Sequence, residues 1–190
     1  MRKFLVSLAE VVEVVVVAVG AVYFIKTFLV QPFLVSGASM SPNFSHGDYL
    51  VVDEITYRFR DPARGEVVVF RYPKDESTYF IKRVIGLPGD RVVISDGMVH
   101  VTNPSHSHGV ILEEPYLHGD VKTNSRPGMP QEFVLVAGEY LVLGDNRSYS
   151  FDSRDWGKLK RSEMVGLVRV RLWPFTGLTV FAAPHYGTEH

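Results

Sequence analysis

The sequence predicts a mostly β fold, an antiparallel β-sheet or barrel-like domain preceded by one N-terminal transmembrane helix. Three observations carry this. The first thirty residues hold a long apolar run. The rest of the chain breaks into short runs rich in valine and aromatic residues. Turn signals, not helical periods, separate those runs.

The chain has 190 residues, enough for one ordinary domain and a modest extra element. At 46% hydrophobic and 22% charged it can bury a sizeable core. Its 20 basic and 21 acidic residues leave a net charge of −1, so no global field attracts nucleic acid. Cysteine is absent, which excludes disulfides, thiolate nucleophiles and cysteine metal sites.

Residues 1–30 read as the anchor. Val14 to Ile25 are twelve uninterrupted apolar residues, spanning about 18 Å as a helix. Extension to Val30 adds only Lys26 and Thr27 as polar residues and lengthens the span to about 26 Å, against a hydrocarbon core of about 30 Å. Lys26 can snorkel and Tyr23 suits an interface. A cleaved signal peptide would need a small-x-small site soon after, and "KTFLVQPFLV" is bulky. A buried core helix would need a polar face, and seven valines among Val11 to Val19 leave none. Arg2 and Lys3 place the N-terminus in the cytoplasm and the remainder outside.

Residues 31–184 read as the β domain, followed by a tail at 185–190. The strand segments are "DYLVVDEI", "GEVVVFRYP", "TYFIKRVIGL", "DRVVISDGMVHV", "EYLVLGD" and "VGLVRVRLWP". Asp96-Gly97 is hairpin chemistry between two of them. Residues 103–131 hold four prolines and no sustained period, and read as an irregular excursion. Its histidines, His106 and His108 in "SHSHG" with His118 beyond, fit solvated loop positions better than a metal site.

Three segments carry candidate chemistry. "SGASMSPNF" sets hydroxyls directly after the anchor. Val30 to Ser39 is nine steps, at most about 30 Å extended, so a nucleophile there works at the membrane surface. In "TYFIKRVIGLPGD", Lys82 alternates with Phe80 and Val84. Such basic residues commonly guard a sheet edge. A lysine forced among apolar groups instead loses its charge more readily and can act as a base. The third segment, "GDNRSYSFDSRDWG", is denser in hydrogen-bonding residues than a turn needs. It reads either as a polar loop or as the scaffold of a catalytic group.

With "RGEVVVF" at Arg64 to Phe70, these segments resemble, in order, the boxes of the bacterial type I signal peptidases. Those are membrane-anchored serine proteases with a serine–lysine dyad. The likeness runs from the anchor to Trp173. It implies a Ser39 nucleophile, a Lys82 general base, and a Ser150 hydroxyl bonded to that lysine. It also implies an Asp152–Arg154 supporting pair, Gly144 beside the lysine, Met40 near the nucleophile and a structural Arg83. Phe33, Val35 and Ile81 would line small apolar pockets. The implied substrates are secretory preproteins cut at small-x-small sites, with the bilayer as the other partner, no nucleic acid and no cofactor.

Two positions depart from the family's pattern. Gly37 stands where some members carry a hydroxyl residue of the oxyanion hole, leaving that task to the Ser39 backbone N–H with either the Gly37 backbone or a water. Asn43 stands where a threonine usually follows the proline, a change expected to matter little because both residues cap turns. Two rival readings remain. One is a self-cleaving repressor-type Ser–Lys protease, against which the anchor and "GDNRSYSFDSRDWG" speak. The other is a tethered β module that only binds, against which intact Ser39 and Lys82 speak.

Overall fold

A computed structural model describes residues 10–21, 30–129 and 131–183. Residues 10–21 form a helix, α1. Its valines, Val11 to Val19, are all more than half exposed. No helix among the described residues is long and apolar enough to cross a membrane. The rest of the expected anchor, residues 1–9 and 22–29, lies outside the described residues, as do 184–190 of the domain end and tail.

The remainder is antiparallel β structure. The strands are β1 (Val30–Leu34), β2 (Tyr49–Asp53), β3 (Val67–Tyr72), β4 (Asp75–Gly86), β5 (Arg91–Ser95) and β6 (Met98–Asn103). They continue as β7 (His106–Ile111), β8 (Glu132–Val134), β9 (Glu139–Leu143), β10 (Leu159–Lys160), β11 (Met164–Trp173) and β12 (Thr179–Val180). Two single-turn helices, α2 (Thr56–Phe59) and α3 (Ser153–Trp156), interrupt them. The larger sheet runs β1-β2-β11-β3-β4-β9-β10, with β12 beside β11. The smaller runs β7-β6-β5-β8.

Alternation of side chains along the inner strands divides the core. On β3, Val68 and Phe70 enter one cluster, with Val84, Tyr140, Val142 and Trp156. Val67 and Val69 point the other way and pack with Val35, Met40, Phe44 and Leu50. On β9, Leu141 and Leu143 join Ile85, Val92, Ile94 and Phe133 between the sheets. The Asp96-Gly97 turn has positive φ at both residues, 54° and 79°, as a two-residue hairpin requires.

The stretch read as an irregular excursion contains strand β7 at His106–Ile111. Its sequence lacks an apolar period because it is a half-exposed edge strand, held by backbone pairing to β6. Lys82 and Arg83 do not guard an edge toward solvent: Arg83 is flanked by both β3 and β9, and Lys82, the residue before that double pairing, is buried.

Gly86 ends β4 where the two sheets meet. A Cβ there would lie 2.5 Å from Leu135 Cδ1 and 2.9 Å from Val92 Cγ2. Gly86→Ala is expected to cost about 1–3 kcal/mol by overpacking. Urea unfolding should show a lower midpoint with an unchanged slope.

Candidate active site

Ser39 sits in the loop between β1 and β2. The loop's base closes through Val35 N–H to Asp48 O and Gly47 N–H to Val35 O, both 2.9 Å. Ser41 N–H to Ala38 O (3.1 Å) and Phe44 N–H to Met40 O (2.9 Å) wind its tip. Met40 and Phe44 are buried beneath it and fix it to the core. Gly37 has φ +100°, a backbone state that side chains rarely tolerate.

Lys82 reaches this loop from the middle of β4, opposite Val68 on β3. Its Nζ lies 2.8 Å from Ser39 Oγ and donates to Ile81 O at 2.9 Å. The Phe80 ring centre is 5.2 Å away. Only 3% of the residue is exposed. Burial lowers its pKa from the ordinary 10.5 to about 8, against the opposing pull of Asp152 and then Asp145.

The loop between β9 and α3 clasps the serine from the other side. Asn146 N–H donates to Ser39 O (3.0 Å) and its side-chain amide to Ala38 O (3.1 Å). Asp145 binds both arms of Arg83 at 2.8 and 2.6 Å. Asp152 binds Arg154 twice, at 2.8 and 2.7 Å, and accepts the Gly144 N–H at 3.0 Å. Burial alone would raise the Asp152 carboxyl. Arg154, the Gly144 amide and the Ser150 hydroxyl outweigh it and hold the carboxyl below its usual value.

The expected site residues thus converge, with two differences. Ser150 is buried, but its Oγ makes no hydrogen bond of good geometry among the described residues, and none to Lys82. Lys82 gives its second bond to Ile81 O instead, and the Ser150 dipole acts on Asp152. Gly37 N–H is engaged, donating to His46 Nδ1 at 3.3 Å. The Ser39 N–H donates to no group among the described residues. Gly144 lies against Ser39 O and Ser150, directly after Leu143, the β9 partner of Arg83. Met40 Sδ accepts the Asp145 N–H at 3.4 Å, and Arg83 holds Asp145. His46, Asn146 and Arg147 were not singled out from the sequence. Asn146 and Arg147 sit inside a quoted segment, but only folding shows which neighbours they reach.

Phe33, Val35 and Ile81 line one cavity of about 60 Å³, with Leu50, Val69 and Tyr79. Two strand edges open onto it. β1 ends the larger sheet, and β4 pairs with β9 only from Arg83 onward. Phe33 and Tyr79 stack across the gap at 5.6 Å.

A hydroxyl beside a buried, readily neutralised amine, next to open strand edges, has the chemistry of a serine hydrolase acting on extended peptide. The sequence comparisons agree. A sequence model described as signal peptidase, peptidase S26, matches residues 8–173, and the chain belongs to that family of serine endopeptidases. It is 39% identical over 169 residues to a probable signal peptidase I-2 of Synechocystis sp., covering 86% of this chain and 70% of that one. Signal peptidase IB of Staphylococcus aureus is 34% identical over 183 residues, covering 90% and 92%. A crystal structure of a signal peptidase I from Enterococcus faecalis aligns at 30% identity with a TM-score of 0.45, over 57% of this chain and 97% of that one.

Gly144 has no room for a side chain. A Cβ would fall 2.5 Å from Ser39 O and 2.1 Å from Ser150 Oγ. Backbone cannot yield there as a flexible side chain would. Gly144→Ala is expected to lower kcat by roughly a hundredfold through misplacement of Ser39, with the far-UV circular dichroism of the wild type retained.

Proposed function

We propose that this protein is a membrane-bound peptidase that removes N-terminal signal peptides from exported preproteins, with Ser39 as nucleophile and Lys82 as general base. The 2.8 Å approach of Lys82 Nζ to Ser39 Oγ is the observation that carries the reading. Neutral Lys82 takes the serine proton as Oγ attacks the scissile carbonyl. The Ser39 N–H, which donates to no group among the described residues, is read as the donor to the negative charge that develops on the carbonyl oxygen. The lysine then gives the proton to the leaving amine, and water releases the acyl group with Lys82 again as base.

The substrate is read as an extended segment between β1 and the open part of β4. Strand pairing sends alternate side chains into the enzyme. The cavity of about 60 Å³ between Phe33, Val35 and Ile81 suits an alanine-sized group. The exposed valines of α1 support membrane attachment, since so long an apolar surface has no place in water, and its two charges, Glu10 and Glu13, lie in its first turn. We place its N-terminal side in the cytoplasm, with residues 31–184 as the catalytic domain outside.

Ser39→Ala and Lys82→Ala are each expected to abolish cleavage of a signal-bearing preprotein while leaving the fold intact. Lys82→Arg should also fail, because arginine stays protonated. Substantial turnover by Ser39→Ala would end the assignment.

The rate should follow the neutral fraction of Lys82. Its pKa of about 8 predicts that kcat/KM rises with pH through that value and levels above it. A profile that stays flat from pH 6 to 10 contradicts the role of Lys82.

Cleavage should demand small residues at the first and third positions before the cut. A close-walled pocket rejects larger groups by overlap. Preproteins carrying Ala, Val, Leu and Phe at each of these positions provide the test. Equal cleavage across the series would place the pockets elsewhere.

A further inference from the structure

The connection from β7 to β8 has a topological task that needs no buried charge. Its segment 112–126 nevertheless touches Arg83 and the loop that carries Arg147, Ser150 and Arg154. Glu114 forms an ion pair with Arg147, whose side chain has no exposure. Arg147 also bonds Thr123 in the same segment. Its Nε donates to Gly144 O at 3.0 Å, and Gly144 packs on Ser39. Tyr116 lies beneath the Arg83 guanidinium, 3.9 Å from ring centre to Cζ. Arg126 donates to Ser150 O at 2.6 Å.

Asn43 ties this segment to the nucleophile loop. Its side-chain amide donates to Tyr116 O and to Asp145 Oδ2, each at 2.8 Å. Its carbonyl oxygen lies 3.3 Å from His118 Nε2. The amide has two N–H groups to divide in this way; a threonine hydroxyl has one donor. Asn43 is therefore more than a turn cap, contrary to the sequence expectation.

We propose that segment 112–126 is a strap that positions the nucleophile, with Asn43 and Glu114 as its positioning residues. Asn43 holds the serine loop against Asp145 and the strap. Glu114 neutralises Arg147, which in turn holds Gly144 and the Ser39 carbonyl in register. This rests on the dyad reading above, and its test separates the two.

Asn43→Thr, Asn43→Asp and Glu114→Gln are compared with wild type in kcat, KM, pH profile and thermal melting. Asn43→Asp removes both donors and sets a carboxylate against Asp145. The charged groups around Lys82 are Asp145, paired with Arg83, and Asp152, paired with Arg154, with the Arg147–Glu114 pair behind them. Added negative charge beside Asp145 favours the ammonium form of Lys82. We expect kcat to fall by roughly tenfold or more with KM little changed, and the pH limb to move to higher pH. Glu114→Gln should lose kcat similarly and melt earlier, because Arg147 is left buried without its counter-ion. Asn43→Thr should fall between wild type and Asn43→Asp while melting as wild type.

Titration of ε-13C-lysine at Lys82 gives a readout independent of substrate, and Asn43→Asp should raise its midpoint. If wild type cuts no preprotein, the functional reading fails and this shift still decides the strap. Wild-type kcat in both Asn43 variants, or a kcat loss with an unmoved midpoint in Asn43→Asp, overturns the proposal. The second result is what a contact that merely supports the fold would give.

Discussion

The rest of the structure is arranged around one constraint. A lysine amine must sit beside Ser39 Oγ in a place dry enough to give up its charge. Lys82 is almost fully buried and its pKa falls from 10.5 to about 8. At 1.36 kcal/mol per unit, the site disfavours the ammonium form by about 3 kcal/mol. Two buried carboxylates work against this, Asp152 and Asp145. Each is engaged by both arms of an arginine, Arg154 and Arg83 respectively. Unpaired, either carboxylate would favour the charged lysine far more strongly in so dry a place. The arginines thus let the loop keep its buried acids without holding the base in its protonated form.

The fold meets this constraint with strands that are buried on both faces. β4 brings Lys82 in just before the strand enters between β3 and β9, and the residue is almost fully buried there. The side chains flanking it, Ile81 and Arg83, face the other way, toward the substrate cavity and toward Asp145. The serine arrives on a loop whose hydrophobic residues, Met40 and Phe44, are sunk in the core. Neither group could move by an ångström without disturbing packed side chains. That rigidity is the preorganisation acyl transfer needs.

Much of this was legible in the sequence, because its signals are local. Valine-rich runs between turn signals became β3, β5, β6, β9 and β11, and Asp96-Gly97 became the hairpin turn. The site's leading residues were legible only through motif order, since nothing in "IKRVIG" alone distinguishes an edge lysine from a buried one. Long-range pairing left no trace. Glu114 and Arg147 are 33 residues apart and Asn43 and Asp145 are 102 apart, and no periodicity reports such contacts. β7 was missed because an edge strand of serine, histidine and glycine carries no apolar pattern. The bond expected from Ser150 to Lys82 is replaced by one to Ile81 O, a backbone partner that no side-chain motif can announce.

The central claim is that burial makes Lys82 a base. Its most direct test is an NMR titration of Lys82 in the folded protein, labelled at the ε-carbon and assigned by comparison with Lys82→Met. The account predicts a midpoint near 8 for this lysine, below the reference value of 10.5. A Lys82 midpoint at that reference value would contradict it.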